Sequence, residues 1–591
     1  MTEKLMAEKI KGGSFVIETV KPDQIFTPEE FNDEQKMIAK TTADFVAGEV
    51  DPHREQIEHL DIELSDKLMK KAGALGLLGA DVPEEYDGMG LDKVSGSLIS
   101  EYFSRAGSLA VSHSAHTGIG TLPIVYFGTK EQKQKYLPKL ATGEWIGAYA
   151  LTEPGSGSDA LGAKATAKLS EDGKYYVLNG TKQFITNAGF ADLFIVYAKI
   201  DGEKFSAFIV EKTFPGVSTG PEEKKMGIKG SSTRPLILED VKVPVENLLG
   251  EEGRGHVIAF NILNIGRYKL GVAALGGSKY ALELSAKYAN ERKQFGRSIS
   301  SFSLIGSKLA EMNIKSFVLE SLIYRIAGLY DHAFADFDYP DDLGRTAAKL
   351  IEEYAIEASI AKVFGSEVLD FCVDEGVQIH GGYGFIQEYR IEQAYRDSRI
   401  NRLFEGTNEI NRLLIPGTLL KKAFKGEIPL LQAAQKLQSE LMGMAPQMPN
   451  EGPLGTEELL LEQAKKAFLM VGGLAVQKYQ NKIDAQQEIL ANLAEILIGI
   501  FAMESAILRT NKALLKGDAP LKVAMTRAYV NDAFGRIEAL GREALAAMEE
   551  GDMLRTQLSI FKKLVRFNPI NTIGLKREIA AKVIEAEKYV S

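Results

Sequence analysis

The feature that most restricts how this chain folds is a change of hydrophobic period about a quarter of the way along it. From Glu29 to about Gly143 apolar residues recur three and four apart, as in Phe31 to Val46 and Asp66 to Leu78, with Gly76 and Gly79 closing the second run. From about Ile146 to Gly250 they alternate instead. Ala163 to Leu169, Tyr175 to Leu178, Leu193 to Ile200, Ser206 to Val210 and Leu236 to Val243 are short and rich in β-branched or aromatic residues, and Glu171-Asp172-Gly173 and Asp201-Gly202 separate them as hairpin-type turns. From Val257 the helical period returns and holds almost to Ser591. The pattern predicts a mainly α chain with a central β domain. Its parts are a tail (1–28), an N-terminal helical domain (29–145), a small antiparallel β-barrel (146–255), a C-terminal helical bundle (256–416) and a further helical extension (417–591).

A length of 591 residues is too great for one core and corresponds to about four domains. The formal charge is −10 with no long basic run, which argues against nucleic acid as a partner, since phosphate neutralisation needs a concentrated cationic face. Cys372 stands alone, so an intrachain disulfide, an iron–sulfur site and a Cys-rich zinc site are excluded, and a reducing compartment fits. Met1 to Lys11 mixes Glu3 and Glu8 with lysines, unlike a secretory or transit leader, and cytoplasm is the expected location. The longest apolar stretch, Ile489 to Met503, is interrupted by Glu495 and is short for a bilayer span.

Within the second helical half a pattern recurs. Leu309-Ala310-Glu311 is followed by Ile314, Phe317, Glu320, Ser321, Ile323 and Arg325; Leu493-Ala494-Glu495 is followed at the same offsets by Ile498, Phe501, Glu504, Ser505, Ile507 and Arg509. Either two amphipathic helices agree by chance, or the last part of the chain is a partial copy of the bundle before it.

Three polar, glycine-loosened segments carry the candidate chemistry: Tyr149 to Asp159, Gln378 to Gly384, and Phe404 to Ile410 with its single carboxylate Glu405. Gly155-Ser156-Gly157-Ser158-Asp159-Ala160 matches G-x-G-x-x-A, but a strand rather than a helix is expected after it, so a dinucleotide-binding turn is rejected. The loop is either a plain connector or a bare backbone facing a ligand. Glu405 is either a solvated loop acid before a helix capped by Thr407 or Asn408, or a base in a dry pocket. Arg292 either caps its own helix or pairs with phosphate through its planar fork. Glycines at 381 and 382 permit close backbone approach. His380, His113 and His116 read as structural, the last two lacking a third metal ligand.

From about Phe31 to Pro416 the sequence resembles the acyl-CoA dehydrogenases, flavoenzymes that desaturate acyl thioesters, with the motifs in family order. The resemblance implies FAD as cofactor, held by Tyr149, Leu151, Thr152, Gly157, Ser158, Phe184, Ile185, Thr186, Arg292, Gln294, Phe295, Gln378, Ile379, Gly381, Gly382, Thr407 and Glu409, with Arg292 acting across a dimer contact. Phe184 stands where the family commonly has Trp. It implies acyl-CoA contacts from Ser158, Asn264, Arg267 and Gly406, and Glu405 as the base that removes the α-proton. Part of the family carries its base one residue before the arginine, and here that position is Gly266. Met226 to Ser231 and Val241 to Pro244 resemble the end of the middle domain. A helix at Leu109 to Gly120, with small Ser112, Ser114, Ala115 and Gly118, would floor the acyl pocket. The extension resembles the very-long-chain branch, which implies a homodimer, an electron-transfer flavoprotein as electron acceptor, and an extension that either contacts membrane peripherally or covers a protein surface. An acyl-CoA oxidase and a non-catalytic scaffold are the competing readings.

Overall fold

The structure is a computed structural model that describes residues 9–441, Gly443 and 447–591; Met1 to Glu8, the start of the expected tail, lie outside the described residues. The N-terminal helices include Asp33–Phe45, Ile62–Ala74 and Lys93–Phe103. Each begins at a side-chain cap: Asn32, Asp61 and Asp92 accept from backbone N–H groups of the first turn, and Gln35 completes a capping box with Asn32. They close over Phe45, Leu68, Met69, Phe103 and Ile146.

The middle domain is a mixed sheet rather than the purely antiparallel barrel expected. Strands lie in the order Val217–Thr219, Thr233–Pro244, Tyr175–Thr186, Thr166–Leu169, Leu193–Ile200, Lys204–Glu211, Leu248–Leu249. Gly147–Ala150 and Thr166–Ala167 both pair parallel to Leu193–Ile200, Gly147 opposite Leu193 and Thr166 opposite Lys199. The two are therefore pieces of one interrupted strand, collinear along a neighbour that advances from Val196 to Lys199 while the chain leaves the sheet for residues 151–165. That excursion is the Gly/Ser loop. Its neck is closed by Glu153, whose carboxylate pairs with buried Lys182 at 2.7 Å and accepts from the Lys164 and Ala165 N–H groups. A short turn and then a strand follow, with no dinucleotide-binding helix.

The bundle helices are Gly255–Glu291, Ser303–Phe334, Ala355–His380 and Asn408–Phe424. The last runs through Pro416, so the expected boundary at 416 falls inside a helix; proline removes one intrahelical bond there without ending it. The extension adds Leu430–Glu440, Gly455–Tyr479, Gln487–Leu514, Pro520–Met548, Gly551–Leu564 and Thr572–Ala586. Gln487–Leu514 is long and apolar enough to cross a membrane, but its most apolar window is 78% buried inside the protein. The described part of the expected tail is a strap. Phe15 and Val16 are core residues, Phe15 packs edge-on against Phe501 at 4.9 Å, and Lys422, Lys465 and Lys512 donate to the carbonyls of Gly12, Glu18 and Ile25.

The sequence repeat has a structural counterpart. Arg325 donates to Glu504 at 2.6 Å and to Ser505 at 3.1 Å, and lies over the Phe501 ring; Arg509 pairs with Glu320 at 2.7 Å, donates to Ser321 at 3.3 Å, and lies over Phe317. Matched residues of the two copies bind one another reciprocally, as across a two-fold axis. Both arginines are 1% exposed. Glu504 also holds buried Lys465 at 2.7 Å. Glu504→Gln leaves these two cations without their shared anion and is expected to destabilise by about 3–5 kcal/mol. Thermal unfolding checks it: a lowered Tm, partly recovered by adding Arg325→Met, is expected, and an unchanged Tm would show that the pairing contributes nothing.

Candidate active site

Two cavities meet at Glu405. The larger, about 1040 Å³, is lined by Tyr149, Leu151, Thr152, Gly157, Ser158, Phe184, Ile185, Thr186, Asn264, Arg267, Glu405 and Gly406 among others. The smaller, about 200 Å³, runs between the bundle helix Gly255–Glu291 and Ala110, Val111, Ser114, Ala115 and Gly118. Ala115, Ile119, Thr186, Phe404 and Glu405 border both. A wide chamber thus narrows past one carboxylate into a slot.

The turn that carries Glu405 is strained and tightly held. Glu405 has φ 56° and Gly406 φ 78°, the first unfavourable for a side chain bearing a Cβ. Arg267 Nε donates to the Glu405 carbonyl at 3.2 Å while its Nη1 donates to Asn264 Oδ1 at 2.8 Å. Asn411 Nδ2 donates to the Gly406 and Thr407 carbonyls at 2.9 and 3.0 Å. Thr407 Oγ1 accepts from the Ile410 N–H and starts the next helix. A Cβ at Gly266 would lie 2.6 Å from Glu405 Oε2, so the carboxylate occupies the volume a side chain at 266 would fill.

Glu405 Oε2 is enclosed and has no hydrogen-bond partner among the described residues, although the residue as a whole keeps a face on the cavity. Burial pushes its carboxyl up to about 7, against the opposing pull of the Arg267 and Lys362 cations. Lys362 Nζ donates to Asn408 Oδ1 at 2.6 Å, and burial pushes its ammonium down to about 8, with the Glu405 charge opposing. A carboxylate poised near neutrality, on a rigid turn at the wall of a chamber, is equipped to take a proton from a weak carbon acid.

Phe184 reaches the chamber through a register shift between Lys182 and Ile185 in the pairing with Thr233–Pro244; it has φ 60° and is 62% exposed. Ser112, expected in the acyl pocket, lines neither cavity: the helix carries it inward, and its carbonyl accepts from Asn187 Nδ2. The histidines are structural. His113 Nε2 and His116 Nε2 each lie 2.9 Å from a backbone carbonyl, of Leu77 and Leu140, and His380 Nδ1 lies 2.7 Å from the Gly376 carbonyl.

Arg292, Gln294, Phe295, Gln378, Ile379, Gly381, Gly382, Thr407 and Glu409 line neither cavity. Arg292 lies over the Tyr383 ring at 5.5 Å, which joins its hairpin to the glycine turn; Phe295 is 91% exposed. Gly381 has φ 61°, and a Cβ at 381 or 382 would meet nothing within 4 Å, so no neighbour among the described residues crowds either position. The Ile379 side chain is packed in the bundle core, so its backbone is the part left for a ligand. Thr407 is engaged as a helix cap and Glu409 points to solvent.

Sequence reasoning missed Lys182, Lys362 and Asn411. Lys362 carried a signal, a lone charge within Ile360-Ala361-Lys362-Val363-Phe364. Lys182 and Asn411 carried none.

Known families account for this geometry. The acyl-CoA dehydrogenase N-terminal domain matches residues 32–144, the middle domain 148–241, and C-terminal domain models match 253–420 and, separately, 463–563. The chain belongs to the acyl-CoA dehydrogenase family. This acyl-CoA dehydrogenase is 61% identical over 99% of both chains to a protein described as a probable acyl-CoA dehydrogenase of Bacillus subtilis. It is 35% identical to the human very long-chain specific acyl-CoA dehydrogenase, over 92% of this chain and 85% of that one. A crystal structure of an acyl-CoA dehydrogenase complexed with FAD, from Bacillus anthracis, superposes with a TM-score of 0.97 at 60% identity, covering 98% of this chain and all of that one. The dehydrogenase here fits such a group: the chamber is large, an exposed aromatic borders it, and the enclosed Tyr149 Oη, like Glu405 Oε2, has no hydrogen-bond partner among the described residues.

Gly266→Ala forces the carboxylate aside and is expected to lower kcat on the order of 10²-fold at unchanged flavin content, measured as dye reduction per bound flavin; a full rate would show that the carboxylate position is unimportant. The kcat/KM profile is expected to rise with pH through about 7 as Glu405 ionises. Lys362 favours the ionised form, so Lys362→Met moves that limb to higher pH; a limb that stays in place would remove Lys362 from the site.

Proposed function

We propose that this acyl-CoA dehydrogenase uses Glu405 as the base in α,β-desaturation of long-chain acyl-CoA to trans-2-enoyl-CoA, the first oxidation of fatty-acid β-oxidation, with FAD as cofactor. The observation that carries this is the desolvated Glu405 carboxylate between a wide chamber of mixed lining and a narrow slot that begins among small and apolar residues. FAD supplies the acceptor for the hydride that leaves the β-carbon. Glu405 takes the α-proton, and its raised proton affinity brings it closer to that of the carbon acid. Its own backbone N–H has no acceptor among the described residues and is free to donate to the thioester oxygen as negative charge develops there. Arg267 fixes the following carbonyl and so the orientation of the turn. Asn264 and Arg267 border the chamber, but their mutual bond makes them primarily supports of Glu405.

The acyl chain occupies the slot. Gly266, Leu270, Ala273, Ala274, Gly277 and Tyr280 follow one another along a single helix face, and at 1.5 Å rise per residue the distance from Gly266 to Tyr280 is about 21 Å. That length supports a long-chain preference.

The phosphate end of FAD is held by Arg292, Gln294 and the Gln378 to Gly382 turn of a second copy, which supports a homodimer: this surface faces outward from its own chain. The extension fills the remaining bundle face through the reciprocal Arg325 and Arg509 pairs. Electrons pass to an electron-transfer flavoprotein rather than dioxygen, and the cytoplasm is the proposed location.

Glu405→Gln is expected to keep its yellow flavin and to lose anaerobic bleaching by hexadecanoyl-CoA by at least about 10²-fold. Normal bleaching by that variant removes Glu405 from its role, and stoichiometric peroxide from the unaltered enzyme in air would make it an oxidase.

A further inference from the structure

The slot does not end on apolar side chains. Beyond Gly277 its lining includes Arg54, Arg105, Tyr280, Arg390 and Gln393. Arg54 and Arg105 both approach the Tyr280 ring, at 5.7 and 5.5 Å, and Arg390 Nη1 donates to Tyr280 Oη at 2.9 Å. Gly107 backs this end: a Cβ there would lie 3.4 Å from Gln393 Nε2 and 3.6 Å from Arg54 Nη1.

The local carboxylates are already committed. Asp51 serves both Arg54, at 2.6 Å, and Arg390, at 3.5 Å; Glu283 serves Arg105, at 3.1 Å, and is shared with Lys287 at 2.6 Å. Asp397, also on this wall, is pushed by burial to about 7 and accepts from the Ile228 N–H, and Glu58 accepts from Gln393 Nε2 at 3.0 Å and pairs with Arg396 at 3.2 Å. Each of these carboxylates is therefore engaged, and what is left for a ligand is the donors that they do not reach. Arg54 Nη1, the nitrogen nearest the Gly107 backbone, has no hydrogen-bond acceptor among the described residues. Tyr280 Oη receives a hydrogen bond, and its own proton has no acceptor among them.

A methyl terminus brought to this end gains no partner and removes water from guanidinium groups. A carboxylate finds planar donors and a phenol. We infer that the far end of the slot is an anion subsite, built by Arg54, Arg105 and Tyr280, that selects acyl-CoAs carrying a carboxylate at the remote end of the chain. With about 21 Å available and roughly 1.2 Å per single bond in an extended chain, the fitting substrate is the CoA monoester of a dicarboxylic acid of about sixteen carbons. The chemistry at Glu405 is unchanged. The inference rests on the slot being the acyl site, as proposed above.

The test compares kcat/KM for hexadecanoyl-CoA and for the mono-CoA ester of hexadecanedioic acid, using the FAD-loaded full chain. The dicarboxylic ester is expected to be used at least as well as hexadecanoyl-CoA. Arg105→Gln and Arg54→Gln are each expected to lower the ratio of the two efficiencies about tenfold, the loss of one charge-assisted hydrogen bond. Flavin absorbance reports whether each variant is folded; should either fail, Arg390→Gln and Tyr280→Phe read the same ratio. A dicarboxylic ester used more than about tenfold less well by the unaltered enzyme, or a ratio that no folded variant moves, overturns the inference and leaves the proposed function standing. Failure of hexadecanoyl-CoA itself to bleach the flavin would instead overturn the proposed function, and this inference with it.

Discussion

A carboxylate deprived of water must be supported by its surroundings or it stays protonated, and the interior of this protein is arranged around one such group. Glu405 sits in a left-handed turn whose carbonyls are held by Arg267 and Asn411 and whose far side is capped by Thr407. Its carboxylate fits because position 266 has no side chain, and Arg267 and Lys362 partly offset the cost of burial. Three bundle helices thus converge on one residue. Loosening any of them would alter both where the carboxylate points and the pH at which it ionises.

The chamber wall depends on a different device. The strand position beside Leu193–Ile200 is built from two collinear pieces, and the ligand-facing loop is the detour between them, tied at its neck by Glu153 and Lys182. The sheet supplies a fixed register while the loop supplies exposed backbone. A break in regular pairing next to a site is a common way to combine the two demands.

Much of this was legible in the chain. The change of hydrophobic period marked the β domain because strands and helices bury different spacings, and Glu405 and Gly266 stood out as an acid and a missing side chain in motifs of known order. Other features depend on partners distant in sequence. Lys182 looks like any strand lysine until Glu153 folds back onto it, and the polar end of the slot draws on Arg54, Arg105, Tyr280 and Arg390, which no local pattern groups. The bound at Pro416 followed the end of the family resemblance, yet the helix there continues to Phe424. Ile379 shared a motif with exposed glycines, but helical geometry turned it into the core. Parallel strand pieces were hidden because alternation reveals strands, not their neighbours.

The reciprocal pairing between the two helical repeats also constrains how the protein is made. Ser303–Phe334 emerges from the ribosome long before its counterparts, and its buried Asn313, Glu320 and Arg325 wait for Val590, Tyr589 with Arg509, and Glu504 respectively. Until those distant segments are synthesised, the nascent bundle must leave charged side chains hydrated or enclose them unmatched. The catalytic half therefore cannot mature domain by domain. Its completion waits for segments made more than 170 residues later, and holding factors have a long interval in which to act.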